Sequence, residues 1–338
     1  MKQFIVNHNE AGQRLDKLLF KLLNKAPKNF IYKMLRKKNI VLNGKKADGS
    51  EKLNLQDEVK LFLSDETIAQ FQEHETAIHA EADVDIIYED QHIIIMNKPL
   101  GILSQKAAPN DISMVEAMIS YLISTKQISV EQLTSFKPGI CNRLDRNTSG
   151  ILIGGKSLQG LQRMSEVIKD RSVSKYYLCI VKGALRENKR IEGYLTKDSL
   201  KNKVSIFTHP KEDTDYICTE YHPLGISTAI NAATGTLGVF TLLQVKLITG
   251  RSHQIRAHLS SIGHPLIGDY KYGDHQVNYY FKTSYGLEHQ LLHSNRIVFP
   301  KMEGDFSVIS EKEFKAGLPK LYESIGAQLF GARFTNIM

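Results

Sequence analysis

The sequence has few cysteines and nothing that would pair them. Its three cysteines, Cys141, Cys179 and Cys218, are widely spaced and include no Cys-x-x-Cys pair. An odd, scattered set of this kind does not fit a secreted disulfide scaffold or a structural zinc site. We therefore expect a protein of the reducing cytoplasm.

Long apolar runs are also lacking. Runs such as 93–96 and 176–181 are far shorter than the ~20 residues that a membrane-spanning helix needs. The N-terminal residues 1–7 contain no apolar region of a signal peptide. We expect neither a membrane partner nor export.

The excess of positive charge is confined to one end of the chain. The 338 residues carry a net charge of +8, and residues 1–60 hold fourteen Lys or Arg against six Asp or Glu, which accounts for all of it. The remaining residues hold thirty of each sign. This asymmetry predicts a basic binding module on a neutral body, with nucleic acid as the polyanionic partner. The alternative is a lysine-rich segment that only aids solubility.

The basic segment also has the pattern of a small αα-β unit. Leucines on one helical face predict a first helix, and a similar pattern predicts a second over 29–37. The Asn43-Gly44 pair predicts a hairpin, and 58–63 is typical of a closing strand. The outer side of the second helix and the residue after it offer basic side chains to RNA phosphates, namely Lys33, Arg36, Lys37 and Lys38.

Three blocks of this segment resemble the S4 RNA-binding domain. They are 14–19, 31–38 and 40–45, and the spacing between them fits as well. The resemblance covers residues 13–63. It implies an S4-like RNA-binding domain over 1–64.

A sharp change of composition follows the basic segment. Residues 61–90 contain nine acidic residues and no Lys or Arg, which predicts an acidic linker over 65–83. Beyond it, strand-like runs outnumber helical patterns, so we expect an α+β domain over 84–310 around a mixed or antiparallel sheet. The small polar residues 227–235 predict a loop. The C-terminal tail, 311–338, is weakly patterned.

One loop places a carboxylate between two guanidinium groups. Asp145 lies two residues after Arg143 and directly before Arg146, in a polar stretch that leads into the apolar tripeptide 151–153. Neighbouring cations favour the ionised carboxylate. That form suits a nucleophile or a base better than an acid. Taken alone, the same pattern also fits a structural ion pair in a turn.

A second cluster combines arginines and histidines at the start of a helix. Arg251, His253, Arg256 and His258 all lie within 249–259. The two histidines are five residues apart, off the i, i+4 spacing that places two metal ligands on one face, so we expect no metal site. The alternative interpretation is an amphipathic helix with a solvated basic face.

Two other features have plain structural interpretations. Tyr177, in the strand-like run 174–183, fits a core position because aromatic residues favour strands. Residues 150–157 match the letters of a phosphate-binding loop, Gly-x4-Gly-Lys-Ser, but no buried strand precedes them as such a loop requires. The tripeptide 151–153 is better interpreted as the strand itself. We therefore expect no nucleotide hydrolysis.

Taken together, six ordered blocks between Asp85 and Pro300 resemble the RluA-type pseudouridine synthases, a family that often carries an N-terminal S4 domain. The blocks lie within 88–101, 143–150, 175–183, 249–259, 263–273 and 292–300. The resemblance implies an α+β pseudouridine synthase body. It also implies an enzyme that isomerises selected uridines in structured RNA.

The resemblance assigns roles to single residues. Asp145 would be the catalytic aspartate, and Arg256 would pair with it and hold it ionised and oriented. Tyr177 would be the active-site tyrosine that packs against the target base. Arg143 would help to displace the target uridine and occupy its place in the RNA stack.

Other residues of the same blocks are expected to contact RNA. They are Arg146 in the aspartate block and Arg251 and His253 in the later one. The chain departs from the family at Asn142, where the family usually has His. That departure puts in doubt any RNA contact made through the histidine.

The implied reaction breaks the uridine N1–C1′ bond, rotates the freed uracil and joins C5 to C1′, and it requires no cofactor, metal or energy source. The target uridine must first be flipped into a pocket, where an aromatic side chain can stack on it. We expect that pocket to close and exclude water. The carboxylate either attacks C1′ or removes a proton at C2′, and the sequence does not choose between them.

The substrate expected from the basic module and the resemblance is large-subunit, 23S-type ribosomal RNA. Transfer RNA is the alternative substrate. A non-catalytic RNA-binding factor for ribosome assembly is the alternative function. No obligate protein partner is evident in the sequence.

Overall fold

The structure is a computed structural model that describes residues 1–72, 83–198, 202–231, 236–332 and 334. Its first elements, in chain order, are β1 (Lys2–Ile5), α1 (Leu15–Leu22), α2 (Lys28–Arg36), β2 (Ile40–Leu42), β3 (Lys45–Lys46) and β4 (Glu58–Leu61). The four strands form an antiparallel sheet in the spatial order β1-β4-β2-β3. The two helices and the hairpin predicted from the sequence are thereby confirmed.

The apolar faces of α1 and α2 hold this small unit together. Leu15, Leu18 and Leu19 of α1 and Ile31 of α2 are fully buried in one cluster with the strands. Burying one such side chain stabilises the fold by about 1.5–3 kcal/mol relative to leaving it in water.

The β2–β3 hairpin turns at the residues that predicted it. Asn43 and Gly44 both have positive φ, 51° and 70°. A two-residue turn with that geometry matches the right-handed twist of its strands, and Asn-Gly accommodates it at little steric cost.

The segment predicted as a linker begins with a short helix, α3 (Asp65–Phe71). Ser64 caps it by accepting a hydrogen bond from the backbone N–H of Thr67 at 3.2 Å. Ile68 is buried in the N-terminal cluster, and Phe71 packs against that cluster. The rest of the predicted linker, apart from residues 72 and 83, lies outside the described residues, so the linker stays a prediction.

The remaining strands form one large sheet. In the described residues they are β5 (Ile86–Glu89), β6 (Ile93–Lys98), β7 (Gly139–Ile140), β8 (Ser149–Gly155), β9 (Ser174–Lys182), β10 (Lys189–Asp198), β11 (Lys203–Phe207), β12 (Asp215–Asn231), β13 (Thr236–Leu247), β14 (Leu292–Val298) and β15 (Glu313–Lys315). Their order is β11-β10-β12-β13-β9-β14-β8-β6-β5, with β7 on β8 and β15 on β14. All pairs are antiparallel except β8 with β14. The predicted mixed-sheet α+β body is confirmed.

Helices cover both faces of this sheet. They are α4 (Met114–Ser124), α5 (Leu158–Lys169), α6 (Gln254–Ser261), α7 (His275–Tyr285) and α8 (Lys320–Phe330), and two 3₁₀ turns lie at Glu131–Thr134 and Gly304–Ile309. Leu152 of β8 packs with α4 and α6 on one face, whereas Ile151 and Ile153 pack with α5 on the other. Strands buried on both faces appear in a sequence as continuous apolar runs, as here.

The loop predicted over 227–235 is wrong for its first residues. Strand β12 continues to Asn231 and pairs with β13 as far as Asn231↔Thr236. The small polar residues concealed this extension because the backbone ladder with β13, and not side-chain propensity, forms it. Residues 232–235 lie outside the described residues.

The described part of the predicted C-terminal tail packs onto the body. β15 extends the sheet beside β14, and α8 buries Tyr322 and Ile325 in a cluster with α7 and β9. The bounds of the tail, 311–338, stay a prediction. None of the helices in the described ranges is long and apolar enough to cross a membrane.

Candidate active site

The loop that carries Asp145 leaves the sheet between β7 and β8 at Asn142. The Asn142 side chain accepts a hydrogen bond from the backbone N–H of Ile153 at 2.8 Å and donates one to the backbone oxygen of Ile151 at 3.1 Å. Because this amide stands in for a backbone unit beside β8, the main chain is free to turn away from the sheet. Both polar atoms of Asn142 are thus engaged with β8.

Two buried contacts hold the loop on either side of Asp145. The Ser104 hydroxyl donates to the backbone oxygen of Leu144 at 2.8 Å and accepts from the N–H of Leu144 at 2.9 Å. After the aspartate, the N–H of Thr148 donates to the backbone oxygen of Asp145 at 3.0 Å. The backbone around the carboxylate is therefore fixed from both directions.

A buried ammonium group lies beneath the same loop. Lys98, at the end of β6, is 0% exposed, and its Nζ donates to the backbone oxygens of Pro99, Ile102 and Arg146 at 2.8, 2.7 and 3.0 Å. Burial lowers the pKa of Lys98 to about 8, and the negative charge of Asp145 partly opposes this shift. Three carbonyl acceptors match the three N–H donors of an ammonium group.

Arg256, from the first turn of α6, contacts the carboxylate of Asp145. Its Nη1 donates to Oδ2 of Asp145 at 2.9 Å. Its Nε and Nη2 donate to Oδ2 and Oδ1 of Asp269 at 2.7 and 2.9 Å. Asp269, which is 0% exposed, also accepts from the backbone N–H groups of Lys271 and Tyr272.

The charges of this buried pair stabilise each other. Burial alone would lower the pKa of Arg256, but its hydrogen bonds and charge interactions with Asp269 and Asp145 raise it. Burial likewise opposes ionisation of Asp269, yet Arg256 holds the pKa of that carboxyl below its ordinary value. The guanidinium is therefore charged and rigid when it meets Asp145.

The Asp145 side chain is 28% exposed, so it is open to a substrate. Within the described residues, Arg256 is its ion-pair partner, and Nε2 of His253 lies 3.9 Å from the same carboxylate oxygen. Arg143 and Arg146, the neighbours in sequence, are exposed. The cation in contact with the carboxylate thus comes from α6 and not from the flanking arginines.

Tyr177 of β9 lies across from Val245 of β13 and Ser294 of β14. The residue is 5% exposed and belongs to the core cluster that also holds α4 and α6. Burial raises the pKa of Tyr177 to about 12, a hydrogen bond with Ser294 opposes the shift, and the charge of Asp145 adds to it. Its hydroxyl therefore stays protonated at neutral pH.

A buried histidine supports the beginning of β8. The hydroxyl of Ser149 lies 2.8 Å from Nδ1 of His293, whose Nε2 lies 3.2 Å from the backbone oxygen of Ala316. A backbone oxygen can only accept, so Nε2 carries the proton and Nδ1 accepts from Ser149. Burial lowers the pKa of His293 to about 4, which keeps the ring neutral.

The structure brings together some of the residues predicted for the site and separates others. Arg256 and His253 lie beside the carboxylate of Asp145, and Tyr177 is near enough for the charge of Asp145 to raise its pKa. Arg251 is half exposed and pairs with Asp215 at 2.7 Å. The basic side chains of the N-terminal unit are exposed on and just after α2, namely Lys33, Arg36, Lys37 and Lys38.

Sequence reasoning missed three residues that build the site. Asp269 holds Arg256, Lys98 holds the loop from below, and Ser104 grips the residue before Asp145. Asp269 and Lys98 lie within the family blocks, where a charged residue beside an apolar or glycine-rich stretch is the available signal. Ser104 has no such signal, because its partners are backbone atoms forty residues away.

Two interpretations of other motifs can be compared with the fold. Residues 149–155 form strand β8, as predicted for 151–153, so the Gly-x4-Gly-Lys-Ser letters lie mostly on a buried strand. Among the residues that the structure describes, no group of three or more His, Cys, Asp or Glu is arranged to hold a metal ion.

Comparisons with known proteins agree on one family. The family model for RNA pseudouridylate synthase matches residues 92–261. An uncharacterized RNA pseudouridine synthase of Mycoplasma genitalium is 29% identical over 89% of this chain and 90% of its own length. The ribosomal large subunit pseudouridine synthase C of Haemophilus ducreyi is 31% identical over 88% of this chain and 87% of its own.

A solved structure supports the fold. The human RNA pseudouridylate synthase domain containing 4 superposes with a TM-score of 0.51, covers 70% of this chain and 90% of its own, and is 20% identical. At that identity the likeness concerns the fold alone.

Proposed function

Because the chain belongs to the RNA pseudouridylate synthase family, and so isomerises uridines in RNA, we propose that its substrate is large-subunit ribosomal RNA and that Asp145 is the reacting carboxylate. The substrate rests on the relative from Haemophilus ducreyi, which is a large-subunit enzyme by name. The S4-like N-terminal unit, with its exposed basic helix α2, supports a structured RNA of this kind.

The observation that carries the role of Asp145 is its contact with Arg256. That guanidinium is held by two hydrogen bonds to Asp269 and donates to Asp145 from Nη1. A carboxylate paired with and oriented by a fixed guanidinium, yet 28% exposed, is suited to act on a ribose. Preorganised charge of this kind needs no rearrangement when the reaction begins.

In the proposed reaction the target uridine leaves the RNA stack and comes to lie over the exposed side of Asp145. The carboxylate attacks C1′ or takes the C2′ proton, and the N1–C1′ bond breaks with its electron pair moving to the uracil. The uracil rotates and C5 bonds to C1′, while the carboxylate leaves C1′ or, in the other branch, returns its proton to C2′. The proton on C5 is lost to solvent and N1 gains one. The atoms balance without redox chemistry, so we propose no cofactor and no metal.

Tyr177 and three arginines have supporting roles in this scheme. Tyr177, protonated and buried against β13 and β14, offers a rigid ring for the flipped base. Arg143 is exposed two residues before Asp145, where its guanidinium can take the place of the extruded uridine in the stack. Arg146 and Arg251 are also exposed and would contact the RNA backbone.

The test is tritium release from RNA labelled at uridine C5, because C5 must lose its hydrogen when it bonds to C1′. Wild type is compared with Asp145→Asn on large-subunit ribosomal RNA and on tRNA transcripts. A matched control is Asp305→Asn, whose side chain is 56% exposed on the 3₁₀ turn Gly304–Ile309. We expect release from ribosomal RNA by wild type and the control, and none by Asp145→Asn.

Each other outcome has a definite meaning. Release from tRNA alone would make tRNA the substrate. Release that persists in Asp145→Asn would remove Asp145 from the chemistry. Binding of ribosomal RNA without release by folded wild type would favour a role in ribosome assembly.

A further inference from the structure

His253 lies beside the same oxygen of Asp145 that Arg256 contacts. Its Nε2 is 3.9 Å from Oδ2 of Asp145, and only 9% of its side chain is exposed. Arg256 donates to that Oδ2 at 2.9 Å. Oδ1 is thus the carboxylate oxygen that neither side chain holds.

The other ring nitrogen of His253 determines where its proton resides. Nδ1 lies 2.9 Å from the hydroxyl oxygen of Tyr272, and that oxygen also accepts from the backbone N–H of Val204 at 2.9 Å. The Tyr272 O–H still has its own proton to donate, and Nδ1 is the acceptor within reach. The proton of the neutral ring then sits on Nε2 and faces Asp145. The opposite tautomer would turn a lone pair toward an ionised oxygen.

We propose that His253 is a positioning residue for Asp145, a neutral imidazole fixed by Tyr272 whose Nε2–H restrains Oδ2 and leaves Oδ1 to the ribose. The inference rests on the proposed function, in which Asp145 is the reacting carboxylate. It differs from the RNA contact expected from the sequence, because Nε2 of His253 faces Asp145 and Nδ1 is bonded to Tyr272, so both polar atoms of the ring face groups of the protein.

The surroundings of His253 favour the neutral ring. Burial has the largest effect and lowers its pKa, and the nearby cations Arg256 and Lys271 lower it further. The carboxylates of Asp145 and Asp269 act in the opposite direction without cancelling these effects. A neutral imidazole can donate from Nε2 and accept at Nδ1 at once, whereas an imidazolium would lose the acceptor.

The backbone holds His253 in a conformation that few residues adopt. It is the N-cap of α6 with φ 55° and ψ 14°, in the left-handed region. A non-glycine residue there costs on the order of 1 kcal/mol, and such positions concentrate at functional sites. Tyr272 belongs to the same turn as Asp269, so one loop fixes both Arg256 and His253.

The first experiment separates positioning from RNA contact. Single-turnover tritium release and RNA affinity by filter binding are measured for His253→Met, His253→Gln and Tyr272→Phe. A matched control is Tyr270→Phe, which removes an exposed hydroxyl bonded only to the backbone oxygen of Leu287 among the described residues. Nε2 and Oδ2 are 3.9 Å apart, beyond hydrogen-bond distance, so the contact is an interaction between a dipole and a charge, and its loss should change the rate by roughly 5- to 10-fold.

We expect His253→Met to lower the single-turnover rate about 5- to 10-fold while the Kd for RNA stays within about two-fold of wild type. His253→Gln keeps an N–H donor and should recover much of that rate. Tyr272→Phe should lower the rate by less, and the control should leave it unchanged. Weaker RNA binding at an unchanged rate, or no change in either, would overturn the proposal.

A second measurement does not depend on activity. Nitrogen NMR of ¹⁵N-histidine-labelled protein reports which ring nitrogen of His253 carries the proton, and the absence of its signals in His253→Gln assigns them. We expect the Nε2–H tautomer, with a shift of that N–H in Asp145→Asn. A proton on Nδ1 would overturn the positioning role of His253, whatever the tritium assay shows. Absence of tritium release by wild type would count against the proposed function instead.

Discussion

The guanidinium of Arg256 meets the carboxylate of Asp269 edge to edge, with Nε 2.7 Å from Oδ2 and Nη2 2.9 Å from Oδ1. Its Nη1 donates to Asp145 at 2.9 Å. The arginine therefore cannot rotate toward solvent without breaking two buried hydrogen bonds. Asp269 controls the site although it has no exposed surface of its own.

Replacing Asp269 by Asn should harm both stability and activity. The variant keeps the shape but leaves a buried guanidinium without its main counter-charge, and breaking a buried pair in this way costs about 3–5 kcal/mol. We expect the free energy of unfolding in urea to fall by about 3 kcal/mol and tritium release to fall about 100-fold.

The control for Asp269→Asn is Glu313→Gln, which breaks the surface pair of Glu313 with Arg296. The Glu313 side chain is 40% exposed, so this change should cost less than about 1 kcal/mol and leave activity intact. Equal effects of the two variants would contradict the role given to Asp269.

Gly150 should not tolerate a side chain. Its φ is +108°, and a Cβ there would lie 2.1 Å from the backbone oxygen of Ser294, because β8 and β14 approach closely at this point. Neither backbone can yield without opening the sheet beside the Asp145 loop. We expect Gly150→Ala to lower the free energy of unfolding by about 3 kcal/mol or more.

Gly139→Ala is the matched control for Gly150→Ala, on the strand paired with the other end of β8. There the nearest atom to an added Cβ is a Leu161 methyl at 3.7 Å, an ordinary contact. This variant should stay within about 1 kcal/mol of wild type in urea unfolding. A stable Gly150→Ala would show that β8 and β14 can separate without cost.

Much of this architecture could be predicted because it is encoded locally. Leucine periodicity marked α1, the Asn43-Gly44 pair marked the hairpin, and apolar runs marked the buried strands β6 and β8. Strand β12 beyond residue 226 could not be predicted in this way, since its partner strand supplies the hydrogen bonds. Helix α8 has a weak pattern, and the cluster it completes comes from α7 and β9.

The site shows the same division. The sequence block around Asp145 pointed to the carboxylate. Its flanking arginines suggested the wrong contacting cations, whereas the family resemblance implied Arg256, the residue that contacts it in the structure. Ser104 contacts only backbone atoms, so residue identity at a distance carries no signal for it. Burial of His253 likewise depends on how Tyr272 and α6 meet, which periodicity does not report.

Position 142 should accept only side chains that can form hydrogen bonds with the backbone of β8. Asn142→Leu would leave the N–H of Ile153 and the oxygen of Ile151 without these partners, at about 1–3 kcal/mol for each buried group. We expect lower stability in urea and a slower rate of tritium release, because the Asp145 loop loses its exit point. Asn142→His, which restores the residue usual in the family, has one donor and one acceptor and should retain most activity. An active, stable Asn142→Leu would disprove the structural role.

Lys98 should make stability depend on pH. Its pKa is about 8 in the folded protein and 10.5 ordinarily, so between these values the folded protein binds fewer protons than the unfolded chain. Stability contributed by this residue therefore rises with pH from about 8 to about 10.5, by at most about 3 kcal/mol. The difference in urea unfolding between wild type and Lys98→Met should grow across this window in favour of wild type. The control is Lys169→Met, at an exposed position of α5, and an equal trend in that variant would contradict the role of Lys98.

The basic residues on α2 and directly after it should determine how RNA binding depends on salt. Lys33, Arg36, Lys37 and Lys38 are all exposed, and each phosphate contact contributes about 0.7–0.9 to the slope of log K against log salt. Replacing all four by Gln should therefore weaken binding and reduce that slope by about three, with the single-turnover rate at saturation unchanged. A control with equal loss of charge replaces four exposed lysines of the body, Lys169, Lys301, Lys312 and Lys320. An equal change of slope in both variants would mean that net charge, and not this helix, determines RNA binding.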